Sequence, residues 1–496
     1  MNTKKELEKE SVYAEDGLVP YPMAHKAFVI QKKHIFSNLF WLFSGNALAA
    51  ICFFVAMVQA ARILGPEGFG IVAFAEIVFM FFWNLSNMGL TFLGARNVAR
   101  SIHDRTNFYV NRVISLRLLL SFFSLCVLAV FLYLLHEPFF VKSITFVYGL
   151  ALIPAALFLD WYFQGLEKMA FVALAVFLRA FLFMIGIFLF VRENQQLLIF
   201  TLIFNISWLC STFSLFILYR NRFGSLAIVW DKKFFRKTLR DTAPLGLSLL
   251  MAWVIHYFDS MLLFLWKGGS AAGLYNAAYR PIILMITALT VYFNALLPIM
   301  SKAAHESSHA MKAVIYWTIL TGFFLFFPIA VLGTYWATPL MILIYGQAFT
   351  LSGPVFAVLI WWPLLMLLAL VYSRCLLCYD QQGLIGKIAV MTALANVVLN
   401  LILVPFLSIK GAAFAKVAAD ILTFFFYFYS TKNFFPFRLQ KVLKTLGFFV
   451  LGMLFLLFFP WKWHCYSLVV TGLLLYSIII LCLHGIVFKK YLLGDF

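Results

Sequence analysis

A chain of 496 residues that is 64% hydrophobic and only 11% charged carries far more apolar surface than a water-soluble fold of that length can bury. Its net charge of +19 is no nucleic-acid signature, because the basic residues sit in short loops between apolar runs instead of gathering in one polar domain. The runs lack the alternation of a membrane β-barrel, so the chain reads as an all-α integral membrane protein whose spans each need about 20 helical residues.

Residues 1–37 form a polar tail with Lys4, Lys5, Lys9, Lys26, Lys32 and Lys33 and no apolar core, so no secretory signal is expected there. Fourteen transmembrane helices follow. The first six, about 38–61, 68–93, 113–135, 143–164, 169–191 and 196–219, make an N-terminal lobe over 38–219. A cytoplasmic linker, 220–241, leads to a C-terminal lobe over 242–431, with spans at about 242–266, 275–300, 313–335, 353–379, 388–406 and 411–431. Two extra helices, about 445–460 and 467–488, lie in the remaining 432–496. Gly65-Pro66 and Gly268-Gly269 mark turns between spans.

With both termini cytoplasmic, 27 Lys and Arg residues fall inside and six outside (Arg62, Lys142, Arg192, Lys267, Lys410 and Lys462), the bias that orients membrane proteins. A parallel repeat links the lobes. Gly68-Phe69-Gly70 at the start of span 2 echoes Ala272-Gly273-Leu274 at the start of span 8, and Gln164-Gly165 echoes Gln382-Gly383.

The segment Ala61-Arg62-Ile63-Leu64-Gly65-Pro66-Glu67-Gly68-Phe69-Gly70 carries a family likeness. So do Asn87-Met88-Gly89-Leu90, Gly94-Ala95-Arg96, Trp161-Tyr162-Phe163-Gln164-Gly165-Leu166-Glu167-Lys168, and Asp259 with Gly273-Leu274-Tyr275-Asn276-Ala277-Ala278. Together they resemble the polysaccharide flippases (Wzx-like) of the multidrug/oligosaccharidyl-lipid/polysaccharide exporter (MOP, MATE-like) superfamily. The resemblance spans roughly 38–430 and implies two six-helix lobes around a cavity that opens alternately to each side. It also implies a lipid-linked oligosaccharide on undecaprenyl pyrophosphate as substrate, a bacterial inner-membrane location, and a polysaccharide polymerase and chain-length protein as candidate partners. Lipid II flippases share the fold, but their usual first-span pattern differs.

Charges inside the spans are the candidate functional residues, because an ionised group at mid-bilayer costs about 2.5–3.5 kcal/mol on insertion scales unless it is paired, wetted or bound. Arg179, about ten residues into span 5 with no acid nearby on its helix, is the prime candidate to hold a phosphate, which its planar fork suits. Asp259 and Arg280 are expected to pair across spans 7 and 8, as a helix tie or a gate, with Arg280 also a candidate to bind substrate and His256, one turn from Asp259, a candidate proton relay. Lys416 and Asp420, i and i+4 on span 12, are expected to satisfy each other, with a substrate or ion-coupling role as the alternative. Arg117 should pair with Asp160, and Arg374 should snorkel to the inner face. Glu76 has no evident partner and is a candidate for H⁺ or Na⁺ coupling.

No cofactor, metal site or catalytic residue is expected. Cys375 and Cys378 have C-x-x-C spacing but lie on an apolar helix with no second pair. Trp161, Trp361 and Trp362 read as packing or interface residues before sugar-stacking platforms. A cation-coupled multidrug antiporter would share the helix count but usually carries acidic mid-membrane residues. A membrane-embedded glycan polymerase or acyltransferase would need an outer catalytic loop, and the longest outer segment, about 336–352, holds no Asp, Glu, His, Lys or Arg.

Overall fold

The computed structural model describes residues 21–100 and 106–432, with the side chains of 21–40, 42, 43, 106, 222 and 223 excepted. The two extra helices expected at 445–460 and 467–488 lie outside the described residues. All regular structure among the described residues is helical. The helices are α1 (Tyr21–Asn87), α2 (Leu90–Arg100), α3 (Thr106–Leu134), α4 (Phe139–Gly149), α5 (Leu152–Ala156), α6 (Asp160–Gly165), α7 (Met169–Phe190), α8 (Leu197–Phe223) and α9 (Lys232–Glu306). They continue with α10 (Ser308–Tyr335), α11 (Ala337–Tyr345), α12 (Ser352–Leu359), α13 (Trp362–Cys378) and α14 (Gln382–Thr431). Nine helical stretches among the described residues are long and apolar enough to cross a bilayer, and the chain is a multi-pass membrane protein.

Three of these stretches are too long to cross once. The 75 residues of α9 would extend about 110 Å as a straight helix, several times the hydrocarbon thickness of about 30 Å. Each long helix folds back on itself instead. α9 breaks at Gly268, and His256, Asp259 and Ser260 on its first arm meet Tyr279, Tyr275 and Asn276 on its second, nearly equidistant from the break. α14 breaks at Ser408, and Thr392 bonds Thr423 across that hairpin at 2.9 Å. α1 breaks at Gly65.

Gly65 (φ 67°, ψ 179°) and Gly268 (φ 84°, ψ 177°) share one backbone conformation, a region of φ/ψ space that only glycine enters cheaply. Ser408 turns at φ 50° with a side chain in place, which stores strain. Pro66 follows the first break directly, where its missing N–H costs nothing at a helix start.

The second arm of α1 packs on the first arm of α9 along its length. Phe74 stacks on Phe264 at 4.2 Å between centroids, Phe81 meets Trp253 at 5.0 Å, and the Trp253 indole N–H donates to the Ile77 carbonyl at 3.0 Å. The first arm of α1 lies on α7 at a point where a Cβ on Gly45 would come within 2.5 Å of the Ala173 Cβ. One apolar core fills the first half of the chain and reaches the tip of the α9 hairpin, with Trp161, Phe163 and Tyr275 fully buried in it. A second core, around Phe293, Ile315, Leu367 and Tyr372, fills the opposite end of the second half.

Candidate functional site

The tips of the α1 and α9 hairpins lock together. A Cβ on Gly70 would lie inside the Gly269 carbonyl, and one on Gly273 inside the Pro66 carbonyl, so the backbones touch with nothing between them. Gly269 and Gly273 stand four apart on one helix face, the spacing by which small residues let membrane helices approach closely. This contact joins the two segments that the sequence identified as a repeat. The second echo has no such likeness: Gly165 is wedged against Ala95 and Val98, whereas Gly383 faces open space.

Three further contacts tighten the tips. The Arg62 guanidinium donates to the Leu343 and Ile344 carbonyls at 2.5 and 2.7 Å, at the C-terminal end of α11, where a cation is favoured. Lys267 donates to the Pro405 carbonyl at 3.1 Å beside the α14 break. Phe69 packs against Tyr345 and Phe349. The segment about 336–352, expected from the sequence to lie outside, is a helix and turn that plug this end.

Beneath the tips lies a hollow between the halves. It has two adjoining chambers of about 270 and 220 Å³, which share Ala50, Phe53 and Glu76 in their walls. The first chamber carries Arg179, Ser207 and Trp208 from α7 and α8. The second carries Tyr257, Asn276, Tyr279 and Arg280 from α9 and runs to Thr287, which is exposed. With the tips shut and Thr287 open, the hollow faces away from the tips. Its flank is formed by the first arm of α1 and the second arm of α9.

Two cations and one acid therefore line the hollow. Arg280 is bound to Glu76 at 2.5 Å, across the halves, with the two side chains 13% and 17% exposed. The expected Asp259–Arg280 pair does not form: Arg280 lies on the face of α9 turned towards α1, where Glu76 meets it. Arg179 lies over the Trp208 ring at 4.0 Å. Among the described residues it makes no hydrogen bond or ion pair, so its fork points into the chamber without a protein acceptor.

A second charged cluster is buried behind the hollow. Lys416 stands 3.6 Å from Asp259, both side chains only 1% exposed, and also donates to the Ile255 carbonyl. The same ammonium sits 4.6 Å over the Trp362 ring. The Tyr275 hydroxyl donates to Asp259 at 2.5 Å. The expected Lys416–Asp420 pair is not made, because the long lysine stem reaches across to α9; Asp420 Oδ2 has no hydrogen-bond partner among the described residues. His256 offers its carbonyl to the Tyr279 hydroxyl at 2.8 Å, while its buried Nδ1 is unpartnered.

Two further expectations are corrected. Arg117 does not bridge to Asp160; it donates to the Phe158 and Ala155 carbonyls, both at 3.0 Å, where the helix breaks between α5 and α6. Glu76 is not partnerless. Trp161 and Trp362 are buried to within 1% and serve as packing surfaces. Sequence reasoning missed Asn396 and Asn400, both fully buried on the α14 hairpin, although their i, i+4 spacing with Thr392 marks a polar stripe on an apolar helix.

Paired helical hairpins thus meet at glycine tips over a charged hollow. The chain belongs to the polysaccharide biosynthesis protein family, whose pattern matches residues 35–304. A protein of Shigella dysenteriae named for O-antigen transport is 24% identical over 399 residues, covering 78% of this chain and 98% of that protein. In fold, the chain is similar to the lipid II flippase MurJ in an inward closed conformation (TM-score 0.68, 15% identity, 91% of this chain and 99% of that one). It is also similar to an inward-facing multidrug MATE transporter of the MOP superfamily (TM-score 0.65, 16% identity, 77% and 94%).

Proposed function

We propose that this protein is a flippase that carries undecaprenyl-pyrophosphate-linked oligosaccharide from the cytoplasmic to the outer leaflet of a bacterial inner membrane, by alternating access, for surface polysaccharide synthesis. The observation that carries this reading is Arg179, an arginine with no hydrogen-bond or ion-pair partner among the described residues, in a hollow whose one acid among the described lining residues, Glu76, is already held by Arg280. The hollow is net positive and fits a phosphorylated headgroup better than a drug cation. The flank between the first arm of α1 and the second arm of α9 gives the polyprenyl tail a way to stay in lipid while the headgroup sits inside.

The basic-residue bias assigns the glycine tips to the outer face and both termini to the cytoplasm. The conformation described here is then inward-facing. A pyrophosphate reaching Arg280 competes with Glu76, so loading loosens a tie between the halves. Moving negative charge outward is aided by an inside-negative potential, about 2.3 kcal/mol per charge per 100 mV. H⁺ or Na⁺ coupling belongs, on this reading, to Glu76 or to the Asp259, His256 and Asp420 cluster. The family match favours a polysaccharide intermediate over lipid II, which the fold alone would also admit.

The test is Arg179→Ala and Arg179→Lys in proteoliposomes loaded with the lipid-linked glycan. Arg179→Ala should lose flipping at unchanged protein yield, and Arg179→Lys should keep a fraction of it. Full-rate flipping by Arg179→Ala would refute the phosphate role.

A further inference from the structure

A second lipid-facing feature lies apart from the hollow. After α8 the chain runs extended over residues 224–231 and is pinned to α3. The Ala227 N–H donates to Asn111 at 3.2 Å, the Val229 N–H donates to Ser115 at 2.8 Å, and Arg112 bridges Asp231 at 2.7 Å. Beneath this strap is an apolar pocket of about 420 Å³, walled by Leu118, Leu157, Phe213, Phe216 and Ile228. Its mouth faces outward: Phe213 is 60% exposed, Ile228 81% and the neighbouring Trp230 71%.

The rim is basic. Arg220 stands one helical turn beyond Phe216 on the same face of α8, and Lys232 and Lys233 follow the strap directly. All three are exposed, and none has an ion-pair partner among the described residues. Beyond them Phe235 and Thr238 face inward while Arg236, Lys237 and Arg240 face out, an amphipathic start to α9 with its charges at the membrane surface.

The geometry points to a binding site for one anionic glycerophospholipid of the cytoplasmic leaflet, with an acyl chain in the pocket and the phosphate held by Arg220, Lys232 and Lys233. An apolar slot alone would take any lipid chain. The cations beside it select for a negative headgroup, and none of the residues that line the pocket lines the hollow. The site fastens to the leaflet the one segment that joins the two halves at this end.

Native mass spectrometry of the full-length protein in detergent, with phosphatidylglycerol or phosphatidylcholine added at equal concentration, tests this. The wild type should retain phosphatidylglycerol roughly tenfold or more tightly, given three surface cations. Arg220→Gln/Lys232→Gln/Lys233→Gln should abolish that preference at an unchanged thermal midpoint. Leu157→Trp should fill the pocket and lose both lipids. Ile228→Ser, at an exposed position, should weaken both without threatening the fold. Equal retention of the two lipids by the wild type, or a preference that survives the triple substitution, would overturn the site. Displacement of phosphatidylglycerol from the wild type by an equal concentration of undecaprenyl phosphate would also overturn it, by giving the pocket to the carrier tail.

Discussion

Adding one methyl at the glycine tips should shift the whole transporter. In Gly70→Ala the new Cβ would penetrate the Gly269 carbonyl and stand 2.9 Å from the Gly273 nitrogen. In Gly273→Ala it would penetrate the Pro66 carbonyl and stand 3.0 Å from the Gly70 nitrogen. These are backbone atoms, so no rotamer change makes room; the tips must part. Overpacking of this kind costs about 1–3 kcal/mol, and it falls on the tip-closed state alone. A bias of that size changes the ratio of closed to open states about 5- to 150-fold.

Glu67 and Ser270 are exposed beside the seam, so spin labels on cysteines at these positions, in a background without the native cysteines, read the tip separation by pulsed electron resonance. The parent should give a narrow, short distance, and Gly70→Ala a long one with slowed flipping. Gly383→Ala is the control, since a Cβ there meets nothing within 4 Å. A Gly70→Ala protein with the parent's distance distribution and flipping rate would refute the claim that these glycines close the tip end.

The remaining predictions concern the charges. Breaking the Glu76–Arg280 tie by Glu76→Gln or Arg280→Gln should each lower stability by about 1.5–3 kcal/mol, and the double variant should lose less than the sum; additive losses in thermal unfolding would show that the two groups act independently. Lys416→Met strands the Asp259 carboxylate at 1% exposure and should cost about 3–5 kcal/mol, with Asp259→Asn added to it recovering much of the loss. Failure of that rescue would mean the lysine works mainly through Trp362 and the Ile255 carbonyl. Arg62→Ala removes two bonds to the end of α11 in an exposed setting, worth about 1 kcal/mol after screening, and should shift the label distance in the same direction as Gly70→Ala but less.

What could be read from the sequence follows from where the physics is local. A run of apolar residues long enough to span a bilayer must be helical whatever surrounds it, and a Gly-Pro or Gly-Gly step ends a helix by its own backbone preferences. Within the described residues the apolar helices and the breaks at Gly65 and Gly268 were therefore legible, whereas the break at Ser408, a residue with no such preference, was placed only by the gap between spans. An unpaired arginine in a span signals function through its own cost, so Arg179 stood out before any contact was known. Charge pairing is not local. Asp259 and Arg280 look like partners because their spans are consecutive, and Lys416 and Asp420 because they are i and i+4. The face each side chain occupies is set by how α1 and α14 lean on α9. Glu76 reaches Arg280 and Lys416 reaches Asp259 only after that packing exists. The same holds for α11, which is too short for a span and has no charge to mark it, yet supplies the carbonyls that Arg62 caps. The exchange of partners matters for mechanism. Had Arg280 bonded Asp259, the tie would have lain within one hairpin and moved as a unit. Bonded to Glu76, it joins the two halves, so on the proposed alternating-access reading opening the tips would free Arg280.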